Sequence, residues 1–155
     1  MAHWKPKDEI EIEAIASDLY RITGSSALRR LHAYFLVGVR GNVLFHGPDR
    51  APFYKDHASF FDEHGGIGLQ ALTHGGDASK ACAYVAETWG APVWVNRWEL
   101  LQARAGTGIA IEKGFENDEP LARGVDGIHL PGHAVGMTGF RCRLEEGSLD
   151  RKSVV

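Results

Sequence analysis

The residues of this chain best suited to chemistry sit in two short stretches, "LTHGGDAS" (72–79) and "LPGHAVGMTGF" (130–140). In the first, an apolar segment from Ile67 to Leu72 runs into His74, a glycine pair and Asp77, and a helical pattern follows. Imidazole nitrogen and carboxylate oxygen both suit zinc or iron. The second stretch ends an extended segment in Pro-Gly-His, at His133. A hydrolytic zinc needs about three protein ligands and an open position for water, whose pKa it lowers to about 7. His74, Asp77 and His133 are the candidate ligands for such an ion, and His129 is a weaker fourth. Each also has a plainer role. Asp77 reads as a helix N-cap, because its carboxylate can accept N–H groups of the first turn. His74 reads as a hydrogen-bonded loop residue, His133 as a residue that shapes its turn, and His129 as a packed or capping strand residue. His3, His32, His46, His57 and His64 read as surface or loop residues. Trp94, Trp98 and Phe115 read as core rather than as the lining of a pocket. The N–H groups after Gly75-Gly76 would suit an anion, but Asp77 would repel it.

A scaffold for these side chains has to come from the 155 residues, which suit one domain with a real core. We expect that domain over residues 1–147, with 148–155 as a C-terminal tail. At 44% hydrophobic and 24% charged, the chain has the composition of a soluble globular protein. A net charge of -3 and the lack of a basic block argue against a nucleic-acid partner. No apolar run is long enough for a membrane span, and "MAHWKPKDEIEIE" lacks the apolar stretch of a signal peptide, so the expected location is cytoplasmic. Cys82 and Cys142 form no Cys-x-x-Cys unit, and Cys82 falls on the apolar face of a helical pattern, where a buried thiol is expected.

"LYRITG" (19–24) reads as a strand. "HAYFLVGVRGNVLFHG" reads as a β-hairpin with strands over 33–39 and 43–46, both apolar enough to be covered on two faces. "APFYKDHASFFDEHGG" reads as a helix, with Pro52 near its start and Gly65-Gly66 past its end. "IGLQALTH" is the next strand. Ala78, Ala81, Cys82, Val85 and Trp89 then recur at helical spacing up to Gly90. "APVWVN" is a short strand, "RWELLQARA" a helix ending at Gly106, and "GIAIEKGF", "DGIHLPG" and "GFRCRLEEG" are strands. The order predicts a mixed α/β fold around a sheet.

Taken in order, "LYRITG", "AYFLVGVRGNVLFHGPD", "LQALTHGGDAS", "GAPVWVNRWE" and "IHLPGHAVGMTGF" resemble the metallo-β-lactamase superfamily, in its hydroxyacylglutathione hydrolase-like branch, over roughly residues 19 to 144. The resemblance implies an α/β fold of the αββα sandwich type, incomplete at its C-terminal half. It also implies a metal-binding role for His133 through the Pro-Gly-His-x-x-Gly signature. The family's His-x-His-x-Asp-His pattern is degenerate here. With His74 on its first histidine, Gly76, Ala78 and Ser79 stand at the remaining positions. Two functions follow from the resemblance. One is hydrolysis of a small ester, thioester or lactone by water activated on zinc or iron. The alternative is a non-catalytic binding or assembly module that has lost its metal site. With one strand after the Pro-Gly-His turn, one face of the first sheet would stay uncovered, with Phe35, Val37, Leu44, Leu69 and Val93 as candidates for it. Such a face predicts a homodimer. A small-molecule ligand is the other expected partner.

Overall fold

The computed structural model describes residues 10–25, 30–38, 41–111, 114–116, 124–130, 132 and 134–142. They form β1 (Glu11–Ala16), β2 (Leu19–Ser25), β3 (Arg30–Leu36), β4 (Val43–Phe45), α1 (Ala51–Asp56), α2 (Ala58–Glu63), β5 (Leu69–Ala71), α3 (Lys80–Trp89), β6 (Val93–Trp94), α4 (Leu100–Thr107), β7 (Val125–His129) and β8 (Thr138–Cys142). Single 3₁₀ turns at Gly75–Asp77 and Arg97–Glu99 precede α3 and α4. Six strands make one sheet in the order β1-β2-β3-β4-β5-β6, and β7 and β8 pair separately. The sheet is antiparallel from β1 to β4 and parallel from β4 to β6. This is the mixed α/β architecture expected, with the predicted hairpin strands at its centre.

Side-chain alternation sets two of the three core clusters on opposite faces of the sheet. Phe35 and Leu44 point to the helical side and meet Phe53, Tyr54, Phe61, Ala81 and Val85. Leu36, Val43, Phe45, Leu69 and Ala71 point the other way and meet Phe115, Val125, Phe140 and Cys142. Every residue of β4 and β5 is buried, as suits strands covered on both faces. The expected uncovered face is therefore absent at the residues named for it. Phe35, Leu44, Leu69 and Val93 are all buried, and Val37 packs part-buried against the helical-side cluster. Helices α1 to α3 cover one face, while the β7–β8 pair and Phe115 cover the other.

Four other expectations shift. β1 was not foreseen; it pairs with β2 from Glu11↔Thr23 to Ala16↔Leu19 and is largely exposed, which hides its strand character in a run of glutamates. The helix over 53–64 is two helices that break at His57. Helix α4 continues through Gly106 to Thr107 and stops at Gly108, whose φ of 72° is the left-handed cap. Among its described residues, "GIAIEKGF" contributes a single parallel bridge, Asn96↔Phe115.

Candidate functional site

Because β4, β5 and β6 run parallel, their carboxyl ends lie along one edge of the sheet, the place where open α/β sheets hold ligands. β4 delivers His46 there, β5 runs on to Thr73 and His74, and β6 leads to Asn96 and Glu99. His46 has a φ of 33° and is the one non-glycine residue with positive φ among the described residues. Its N–H donates to the Ala71 carbonyl at 2.9 Å, so the kink falls where β4 leaves its partner. Burial pushes the His46 pKa below its ordinary value. The charge of Asp77 opposes that shift, and His74 and His32 add to it, so these groups share one electrostatic neighbourhood.

His74 caps the Gly75–Asp77 turn. Its Nδ1 accepts the Gly76 N–H at 2.9 Å, and its Nε2 lies 3.4 Å from Asp77 Oδ1. The other carboxylate oxygen of Asp77 accepts the Thr73 N–H at 3.2 Å and the Thr73 hydroxyl. A histidine whose Nδ1 accepts an N–H carries its single neutral-state proton on Nε2, here facing the carboxylate. An added Cβ at position 76 would lie 2.5 Å from His74 Cε1, so a larger residue there would displace the ring. Position 76 is where the family pattern puts its second histidine, and the ring of His74 fills that space.

Glu99 is buried at 7% exposure. One carboxylate oxygen accepts the Gly75 N–H at 3.1 Å, and the other accepts the Gly136 N–H at 3.3 Å. Thr138 N–H donates to the Thr73 carbonyl at 2.7 Å. A Cβ at Gly136 would lie 2.7 Å from both Asn96 Oδ1 and Glu99 Cγ, so the loop before β8 sits directly on the turn before α4.

Of the predicted ligands, the structure brings together His74 and Asp77, while His133 lies outside the described residues. Asp77 does not cap α3. Ser79 holds that position without a side-chain bond, and Asp77 points back to Thr73. His129 behaves as a capping residue, its Nε2–H donating to Val135 O at 2.8 Å. The N–H groups of Gly75 and Gly76 are spent on Glu99 and His74, and this, together with Asp77, removes the anion site. His57 and His64 are not solvated loop residues: their Nδ1–H groups donate to the Phe53 and Phe60 carbonyls, and His64 Nε2 accepts from Tyr20 OH at 2.9 Å. Trp94 lines an apolar groove of about 470 Å³ with Ala86, Pro92, Ile109 and Ile111. Trp98 is exposed beneath Arg97 and Phe115 is core. Sequence reasoning missed Glu99 and the placement of His46. The only signal for His46 was its position at the end of an apolar strand.

A zinc or iron ion needs lone pairs converging on one point at about 2.0–2.2 Å. Nδ1 of His74 and Oδ2 of Asp77 are each bonded within the turn, and the remaining Nε2 and Oδ1 face each other. Among the described residues, no group of three or more His, Cys, Asp or Glu side chains could hold a metal ion. The described residues do not fit a hydrolytic zinc or iron.

No protein-family model and no curated protein sequence matches the chain. Solved structures do. A subclass B3 metallo-β-lactamase of Bradyrhizobium japonicum superposes with a TM-score of 0.73 at 14% identity, over 93% of this chain and 61% of that one. A mutant of the metallo-β-lactamase from Legionella gormanii gives 0.73 at 17% identity, over 100% of this chain and 64% of that one. A flavo di-iron protein mutant from Thermotoga maritima gives 0.70 at 15% identity, over 88% and 40%. The chain thus spans less than two thirds of the length of these structures. With its sheet order, the burial of both sheet faces and these superpositions taken together, the chain has the metallo-β-lactamase fold.

Proposed function

We propose that the chain is a binding module of the metallo-β-lactamase fold, taking a small molecule at the carboxyl ends of β4, β5 and β6, and that it does not hydrolyse that molecule. One observation carries this: the side chains at the strand-to-helix junction bond to one another, His74 to Gly76 and Asp77 to Thr73, instead of leaving lone pairs for a metal. The Gly75 and Gly76 N–H groups, the donors an oxyanion would need, are spent on Glu99 and His74. Elemental analysis of protein purified without chelator, together with turnover of a glutathione thioester, tests it. We expect less than a tenth of an equivalent of metal and no turnover.

The second reading, metal-dependent hydrolysis of a small ester, thioester or lactone, has support from its neighbours, whose names include a di-zinc metallo-β-lactamase and a flavo di-iron protein. About one equivalent of zinc or iron, lost on His133→Ala, with thioester turnover lost on the same change, would establish it and overturn the first.

A further inference from the structure

A metal ion held by residues from separate loops ties those loops together, and its binding energy becomes folding energy. His74, Asp77 and His133 would have used an ion to tie the loop after β5 to the loop before β8. Hydrogen bonds between protein groups tie these two loops directly. The carboxylate of Glu99 takes an N–H from each, Gly75 at 3.1 Å and Gly136 at 3.3 Å. Thr138 N–H reaches across to the Thr73 carbonyl at 2.7 Å. The loop after β5 is held in shape from within, because His74 caps Gly76 and Asp77 caps Thr73. Glycine at 75, 76 and 136 lets the parts approach this closely: a Cβ would meet Glu99 O at 3.0 Å from position 75, the His74 ring at 2.5 Å from position 76, and Glu99 Cγ at 2.7 Å from position 136.

We propose that Thr73, His74, Asp77 and Glu99 form a hydrogen-bonded clasp that joins these two loops, so that the site keeps its shape with no metal bound. Glu99 and His74 are positioning residues in it. The proposal uses the same turn as the binding-module reading but stands if that reading fails, since a ligand or substrate need not touch the clasp.

The test rests on two side-chain pairs of different geometry. Asn at position 74 can place its oxygen where Nδ1 lies, whereas Gln places its polar end where Nε2 lies. His74→Asn is expected to leave the folding equilibrium within about two-fold of the parent. His74→Gln is expected to lower it about five-fold, the usual loss of a cap. Equal effects of the two changes would overturn the cap. In Glu99→Gln one of the two N–H groups loses its acceptor. We expect amide exchange at Gly75 and Gly136 to accelerate about ten-fold while Gln70 and Phe45 in the sheet stay unchanged. Unchanged exchange at both glycines would overturn the clasp. Chelator treatment of the parent chain reads the metal directly. An unchanged melting temperature and unchanged Gly75 and Gly136 exchange are expected, and a fall in melting temperature reversed by adding Zn²⁺ alone would overturn metal independence.

Discussion

At the scale of single residues, His46 is the most informative. Its pKa in the fold lies below the ordinary value of 6.5, chiefly because burial disfavours the imidazolium. The unfolded chain therefore binds more protons just below pH 6.5, and the stability from neutral His46 is full above that pH and lost as the pH falls toward the folded value. The urea midpoint is expected to drop between pH 7 and pH 5, and His46→Asn, which tolerates the positive φ, is expected to flatten that drop. Cys142 shows the opposite shift. Burial pushes its thiol up to about 12, so iodoacetamide at pH 8 should leave it unlabelled in the native chain and label it in urea. Phe140 is wholly buried between Phe45 and Phe115, with ring centroids 5.2 and 6.0 Å away. Phe140→Ala is expected to cost about 3–5 kcal/mol in urea denaturation.

At the scale of elements, strands and helices were legible wherever one period dominated. β3 and β4 are legible from the nearly continuous apolar runs 33–39 and 43–46, β5 from the apolar residues of "IGLQALTH", and α3 from its spacing of Ala81, Cys82 and Val85. What stayed hidden depended on partners far along the chain. β1 gains its strand from β2, and Phe115 bridges Asn96 because Gly114 lets the backbone approach Arg97. The site was legible as a pair, His74 and Asp77, but their tautomer and direction were not, since Nδ1 is settled by a backbone N–H and Asp77 by a threonine that precedes it. Nothing within "RWELLQARA" marks Glu99, which joins the site only because Gly136 closes on it from a distant loop. Gly106 is the sharpest case. A glycine inside a helix usually gains about 1 kcal/mol on change to alanine. Here the added Cβ would lie 2.8 Å from Ala78 O and 2.9 Å from Ala78 Cβ, so Gly106→Ala is expected to cost about 1–3 kcal/mol by thermal denaturation, reversing the sign.

At the scale of the molecule, the five apolar residues expected to drive dimerisation do not share one sheet face, Phe35, Val37 and Leu44 packing on the helical side and Leu69 on the other, and all five are packed within the chain, so they offer a second copy little to bury. Sedimentation velocity at low micromolar concentration is expected to give one species near 17.0 kDa, and a dimer there would call for a different interface. The six-stranded sheet has a property of its own: each strand lies beside the one made just before it. A chain leaving the ribosome could add β1 to β6 one at a time, each finding its neighbour already in place, with no strand waiting for a distant partner. The one layer that breaks this rule is the last. β7 and β8 must return across the finished sheet to set Phe140 against Phe45, about a hundred residues after β4 was made. Until they arrive, Val43, Phe45 and Leu69 face water. A nascent chain arrested before residue 125 should therefore engage holdase chaperones and bind hydrophobic dyes, and one arrested well beyond residue 142 should do neither.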